Sequence, residues 1–155
     1  MISREQRYAQ AAYASMTDGL DPQSAEANVF GTACHHFPAM VRLNGLRLTV
    51  AFYEAKAQAG AGALTGRSGN NAIEKAGEVN ASARARAYQR YLRYMRQALV
   101  PEEAELGKAI SSSACTEDQY RLLSRQALAA SVWFKRYAEA ILKAEPTAEA
   151  GGESL

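Results

Sequence analysis

The sequence has few of the residues that most often build metal and catalytic centres. Its 155 residues include only two cysteines, two histidines and one tryptophan. Cys34 and Cys115 lie far apart and neither belongs to a CxxC pair, so we expect reduced thiols in a cytoplasmic protein. No apolar run approaches the roughly 20 residues of a membrane span, and the polar start MISREQRYAQ does not resemble a secretory signal. The sequence therefore predicts neither a membrane protein nor a secreted one.

Both histidines directly follow Cys34, as His35 and His36. Adjacent side chains on a helix point about 100° apart, so three in a row cannot converge on one ion. The same geometry argues against a Cys34–His35 nucleophile and base, because both groups must face one point. The stretch GAGALTGRSGNN lacks the GK[ST] ending of a phosphate-binding loop. We therefore predict no metal, no cofactor, no small-molecule substrate and no catalytic centre.

Helical spacing of apolar residues runs through almost the whole chain. Apolar residues make up 48% and charged residues 22% of the sequence, which is typical of a globular protein. No segment alternates convincingly between apolar and polar residues, as a strand would. The sequence predicts an all-α, single-domain bundle of about five to seven helices over residues 1–145. A mobile loop is expected at about 60–72, and a disordered tail at 146–155.

Capping residues and prolines predict where the helices begin. Ser3 with Gln6, and Thr116 with Gln119, fit capping boxes that start the first helix and the longest one, which runs to about Lys143. After a short helix at 24–36, Pro38 is predicted to open a helix that continues to about residue 58. Another helix is expected to end near residue 99, and a further short one is expected to open at residue 101.

Gly45 lies inside the predicted helix that begins at Pro38. A glycine there costs about 1 kcal/mol relative to alanine, and it belongs to an unusually wide apolar surface with residues such as Leu48 and Phe52. We expect this glycine to permit close packing of another helix. Close passage of a ligand or a backbone phosphate is the alternative.

Positive charge is concentrated in the middle of the chain. The segment 42–96 holds ten basic and three acidic residues, a surplus of seven, whereas the remainder holds eight basic and thirteen acidic, a deficit of five. Arg86, Arg90 and Arg93 are predicted to share one helix face without an acidic residue at i±4. Such an uncompensated row favours contact with an external polyanion, and arginine suits phosphate because its fork donates paired hydrogen bonds. A solvated face remains the alternative.

Two other predicted helices carry smaller basic faces. Arg42 and Lys56 share a face with Thr49 because the three are spaced by seven residues. On the last helix, one side carries the basic residues Arg121, Arg125, Arg136 and Lys143. Trp133 falls neither on this basic side nor on the apolar stripe opposite, which is predicted to face the core. It is expected either to pack against a second helix or to anchor a partner.

Three stretches of the sequence together resemble one known family. They are SREQRYAQAAY, VFGTACHHFPAMVRLNGLRLTVAFYEAKA and YRLLSRQALAASVWFKRYAEAIL. The most specific matches are Pro38, Arg42, Gly45 and Leu46 in the second stretch and the run 133–140 in the third. The chain resembles the small all-helical subunit of type III-B CRISPR effector complexes, the fifth subunit of the Cmr complex or RAMP module.

This resemblance implies a non-catalytic subunit that takes part in antiviral defence. Copies would stack head to tail beside larger RNA-binding subunits and line the groove where target RNA pairs with the guide RNA. Of the matched positions, the resemblance implies RNA contacts at Arg42, Lys56, Lys135 and Arg136. The resemblance does not extend to the arginine row at 86, 90 and 93, whose contact with RNA is predicted from its charge alone. The alternative is a purely structural assembly subunit, in which basic rows meet acidic faces of the next copy such as Glu102, Glu103 and Glu105.

Overall fold

The computed structural model describes residues 1–63 and 72–143, with side chains described for residues 1–59 and 81–143. Within these ranges the chain forms six helices and no strand: α1 (Arg4–Thr17), α2 (Ala25–Asn44), α3 (Leu46–Ala63), α4 (Ala72–Leu99), α5 (Leu106–Ser111) and α6 (Glu117–Ile141). The prediction of an all-α bundle is confirmed.

Both predicted capping boxes form at the starts of their helices. The Ser3 hydroxyl accepts from the backbone N–H of Gln6, whose side chain accepts from the backbone N–H of Ser3. Thr116 and Gln119 make the same reciprocal pair at α6. Because these bonds satisfy N–H groups that have no partner within a helix, they fix the starts of α1 and α6 where the sequence predicts them.

The core is built around α4, which packs against α1, α2, α3 and α6. Its Tyr91 ring is fully buried and lies 4.9–6.0 Å, centroid to centroid, from the rings of Phe30, Phe37, Tyr53 and Phe134. Aromatic pairs at these separations add to the stabilisation from buried area. This aromatic cluster joins α2, α3, α4 and α6 into one core.

The predicted helix from Pro38 to about residue 58 is wrong. Pro38 lies inside α2, which continues to Asn44, and the chain breaks at Gly45 instead. Proline lacks the N–H that would donate to the carbonyl of Cys34, so the helix loses one hydrogen bond there. Pro38 and Cys34 are both buried, and the burial of this helix face outweighs that loss. Sequence rules for helix starts could not weigh that burial.

Gly45 does not lie within a helix, and it terminates α2 in a conformation open mainly to glycine. Its φ of 86° and ψ of 162° leave the helical region, while its N–H still donates to the carbonyl of Val41 at 2.8 Å. The carbonyl of Gly45 then accepts from the N–H and the hydroxyl of Thr49 at the start of α3. One residue therefore joins α2 to α3.

Two further boundaries differ from those predicted. The helix α3 continues to Ala63 rather than ending near residue 58, and α5 begins at Leu106 rather than at Pro101. In the second case the carbonyls of Pro101 and Glu103 accept hydrogen bonds from the Arg96 guanidinium, which stabilises a turn there. Most of the predicted mobile loop at 60–72 and the whole tail at 146–155 lie outside the described residues, and both stay predictions.

None of the helices in the described ranges is long and apolar enough to cross a lipid bilayer.

Candidate nucleic-acid interface

Arg90 does not belong to an exposed basic row, because its side chain is buried. Its Nε donates to a carboxylate oxygen of Glu26 at 3.0 Å, and its Nη1 donates to the carbonyls of Ser15 and Asp18 at 3.2 and 2.8 Å. Only 9% of the Arg90 side chain is exposed. A guanidinium held in this way cannot reach a phosphate outside the protein.

Arg86 shares the same carboxylate. Its Nε donates to the other oxygen of Glu26 at 2.9 Å, although 54% of the side chain remains exposed. The expectation that the row has no acidic partner in the chain is therefore wrong for Arg86 and Arg90. Of this row, only Arg93 remains exposed without an ion pair in the described ranges, with its guanidinium 5.7 Å from the Tyr94 ring centroid.

Several other arginines satisfy backbone carbonyls at the ends of helices. Arg7 donates to Ala98 near the end of α4, and Arg47 donates to Ile110 near the end of α5, at 2.9 and 2.8 Å. Arg90 serves the end of α1 in the same way. The last four carbonyls of a helix lack partners within it, and a nearby cation also interacts favourably with the helix dipole. The guanidinium groups of Arg7, Arg47 and Arg90 thus bind other parts of the bundle.

Arg42 and Lys56 do not share one helix face with Thr49. Arg42 is in the last turn of α2, while Thr49 is fully buried in α3 and bonds back to Gly45. Lys56 is exposed, but its ammonium lies 3.4 Å from the Tyr88 hydroxyl. The predicted face is wrong because the break at Gly45 puts Arg42 and Lys56 on different helices, although both side chains remain exposed.

Lys135 and Arg136 are adjacent exposed residues on α6, and neither has an ion pair in the part of the chain that the structure describes. Trp133, on the same helix, is half-buried and its indole N–H donates to a carboxylate oxygen of Glu5 in α1 at 2.8 Å. Of the two alternatives for Trp133, the structure favours packing against a second helix. Both Lys135 and Arg136 are therefore accessible to a partner.

The Cys34–His35–His36 stretch is mostly internal. Cys34 is fully buried, and burial raises the pKa of its thiol well above the usual range. His35 is also buried, with its Nδ1 3.9 Å from a carboxylate oxygen of Glu139. No group of three or more histidine, cysteine and acidic residues in the described ranges is arranged to hold a metal ion.

An apolar surface on α3, which we call the α3 ridge, is left exposed. It consists of Leu48, Ala51, Phe52 and Ala55, and Leu48 and Phe52 are 50% and 47% exposed. The sequence predicts close packing of another helix at the wide apolar surface that includes Leu48 and Phe52, but in the described ranges both side chains are exposed. Among the described side chains of α3, Leu46, Val50, Tyr53 and Ala57 lie on another side of the helix and are buried in the core.

A second surface is a groove of about 760 Å³ between the end of α4, α5 and the start of α6. The sequence predicts an acidic face that includes Glu102 and Glu103, but it contains no signal for the concave shape of this surface. We call it the acidic groove: Leu99, Val100 and Leu122 form its apolar part, and Glu102 and Glu103 belong to its lining. Glu102 and Glu103 are exposed and make no ion pair in the described ranges. Because three elements supply this lining, no local pattern could predict it.

Comparisons with known proteins agree with the fold. The family model described as "CRISPR-associated protein (Cas_Cmr5)" matches residues 4–141. A similar solved structure is the X-ray crystal structure of a CRISPR-associated Cmr5 family protein from Thermus thermophilus, with a TM-score of 0.60 and 23% identity. The match covers 91% of this chain and 98% of that one, and at this identity it shows a shared fold. None of the curated proteins matches. Because the family model spans nearly all of the described chain, the protein belongs to the Cmr5 family of CRISPR-associated proteins.

Proposed function

We propose that the protein is a non-catalytic small subunit of a cytoplasmic type III-B Cmr effector complex, in which copies stack head to tail along the guide–target RNA duplex. The observation that carries this proposal is the family match over residues 4–141. The Cys34 thiol is fully buried, and this burial raises its pKa, which opposes thiolate chemistry. Cleavage of RNA is then the work of other subunits.

The contacts with RNA are proposed to be made to phosphates, without reading of bases. Arg42, Lys56, Arg93, Lys135 and Arg136 are exposed and make no ion pair in the described ranges. Each can therefore approach a phosphate without first breaking a salt bridge. Arg90 is withdrawn from this set because it is buried, and Arg86 because it already shares Glu26.

Charge reversal at Arg136 tests the phosphate contact. In the assembled, guide-loaded complex, Arg136→Glu should weaken binding of target RNA. It should also make the slope of log affinity against log salt shallower by about 0.7–0.9 for each phosphate that is no longer neutralised. The matched control is Arg121→Glu on the same helix, because Arg121 is also exposed and is already paired with Glu117 at 3.8 Å. Equal salt slopes for the wild type and both variants would reject Arg136 as a contact.

The neutralisation of Arg86 and Arg90 by Glu26 favours a second candidate, an assembly subunit that does not touch RNA. In that case the exposed α3 ridge, rather than the basic side chains, is the functional surface. Photocrosslinking of the assembled complex to labelled target RNA separates the two functions. Label on this subunit supports the first, and label confined to other subunits supports the second.

A further inference from the structure

The α3 ridge has the character of a docking surface. Leu48, Phe52 and Lys56 follow one another at intervals of four residues, so they form one row along the helix. Ala51 and Ala55 flank this row and are also exposed. The outer face of α3 between residues 48 and 56 thus consists of apolar side chains followed by one cation. Exposed aromatic side chains at the centre of such patches are common anchors of protein interfaces.

The acidic groove has the complementary character. Leu122, which is 42% exposed, lies in it together with Leu99 and Val100. Lys108 also lines the groove, but its ammonium is 3.4 Å from a carboxylate oxygen of Glu105. Glu102 and Glu103 are therefore left as exposed carboxylates beside apolar side chains. The α3 ridge complements this groove, because a convex apolar helix face fits a concave apolar surface and its lysine is opposite in charge to the two carboxylates.

We infer that the α3 ridge of one copy docks in the acidic groove of the next copy, with Phe52 among the leucines of the groove and Lys56 near Glu102 and Glu103. This inference rests on the stacking part of the proposed function and assigns it to specific surfaces. It does not depend on whether the subunit touches RNA.

The two surfaces can be occupied at the same time. None of residues 48–56 of α3 lines the acidic groove, and of these residues only Glu54 lines the neighbouring cavity beside α5. Each copy therefore offers one ridge and one groove. A contact between unlike surfaces leaves one ridge and one groove free at the ends, so it extends into a row instead of closing as a symmetric dimer.

A crosslink between the two surfaces tests this arrangement directly. Cys115 is half-buried in the lining of the acidic groove, whereas Cys34 is fully buried and so protected from thiol reagents. In the Ala55→Cys variant, a short bismaleimide should join residue 55 of one copy to Cys115 of the next. Denaturing gels should then show a ladder of dimers, trimers and larger species, and peptide mass spectrometry should find the 55–115 pair.

Three controls make the result specific. The matched variant Val132→Cys places a thiol at another partly apolar exposed site, on α6, and should give at least about tenfold less product. Removing the groove thiol with Cys115→Ser in the Ala55→Cys background should abolish the ladder. Adding Phe52→Glu should lower its yield about tenfold or more, because loss of a central aromatic anchor costs at least that in affinity.

Other results would overturn the inference. A 55–55 product that stops at dimers would mean that two ridges meet each other. Absence of product above the Val132→Cys control, both in the purified chain and in the assembled complex, would mean that a different partner covers the ridge. If the ladder forms but no RNA crosslinks to the subunit, the ridge-to-groove contact stands and only the RNA-contacting part of the proposed function fails.

Discussion

At the scale of single residues, the Arg90 side chain joins α4 to two other parts of the molecule. It bonds Glu26 and the carbonyls of Ser15 and Asp18, and a longer contact of 3.5 Å reaches the carbonyl of Gly19. Lysine would keep the charge, but its single ammonium cannot reproduce this forked arrangement. The guanidinium geometry, more than the charge, stabilises the end of α1.

We therefore expect Arg90→Lys to lower the free energy of unfolding by about 2 kcal/mol, since hydrogen bonds to charged groups contribute about 1.5–3 kcal/mol. Urea denaturation followed by circular dichroism measures this change. The control is Arg93→Lys, one turn along the same helix and exposed, which should change stability by no more than about 0.5 kcal/mol. Equal losses in the two variants would contradict the role assigned to the Arg90 fork.

The partner of Arg90 could not be predicted from the sequence. As the sequence shows, no acidic residue stands four positions before or after Arg90 on its own helix. Its partner Glu26 lies 64 positions away in the chain, and 60 positions from Arg86. Only the packing of α2 against α4 brings that carboxylate to both arginines. The exposed cations that remain in the candidate interface are predictable from the family resemblance or from the local surplus of charge.

At the scale of elements, the link between α2 and α3 consists of one residue with a positive φ. A Cβ at Gly45 would add to the strain of this backbone conformation, and it would lie 3.3 Å from the Tyr120 hydroxyl of α6. That hydroxyl also accepts from the backbone N–H of Arg47 at 3.2 Å. The direction of α3 relative to α2 is therefore fixed by glycine and by a side chain of a third helix.

Gly45→Ala should lower the free energy of unfolding by about 2 kcal/mol, because backbone conformations of this kind cost about 1–3 kcal/mol in other residues. Gly107→Ala in α5 is the comparison. Its φ is not positive, and the atoms nearest to its added Cβ belong to the end of the Glu54 side chain, which can rotate away. The comparison variant should lose less than about 1 kcal/mol in the same urea measurement.

Helix boundaries are predictable where local side chains define them. The reciprocal bonds of Ser3 with Gln6 and of Thr116 with Gln119 span three residues, so the sequence contains the whole motif. The interior position of Pro38 depends instead on burial by other helices, and the break at Gly45 depends on a backbone angle. Local rules carry no information on burial. A glycine can signal a helix end, but the apolar spacing on both sides of Gly45 favours one continuous helix.

At the scale of the whole molecule, the aromatic core predicts how stability responds to alkaline pH. Burial raises the pKa of Cys34, Tyr53 and Tyr91 above the usual values of 9.0 and 10.0. In the unfolded chain these groups ionise at their usual values, so above about pH 9 unfolding releases protons. Stability should be unaffected by these groups below that pH and should fall as the pH rises. Each group that is ionised in the unfolded chain but still protonated in the folded protein lowers the free energy of unfolding by about 1.4 kcal/mol per pH unit.

Two variants separate the contributions of the buried phenols. Tyr91→Phe should make the fall above about pH 10 less steep and should not lower stability at neutral pH, because the Tyr91 hydroxyl has no hydrogen-bond partner in the described ranges. Tyr53→Phe should also flatten the alkaline slope, but it should cost about 1 kcal/mol at neutral pH through loss of the 2.7 Å bond to the Ala33 carbonyl. Urea unfolding between pH 7 and 11 measures both effects.

The arginines at helix ends have a consequence for how the bundle comes apart. Arg7 reaches Ala98, Arg47 reaches Ile110 and Arg90 reaches Ser15, across 91, 63 and 75 positions of the chain. Detaching one helix therefore leaves carbonyls of another without donors. These hydrogen bonds between helices raise the free energy of states in which one helix alone has unfolded. We therefore expect the amide protons of the helices to exchange with solvent in one cooperative unfolding step rather than helix by helix.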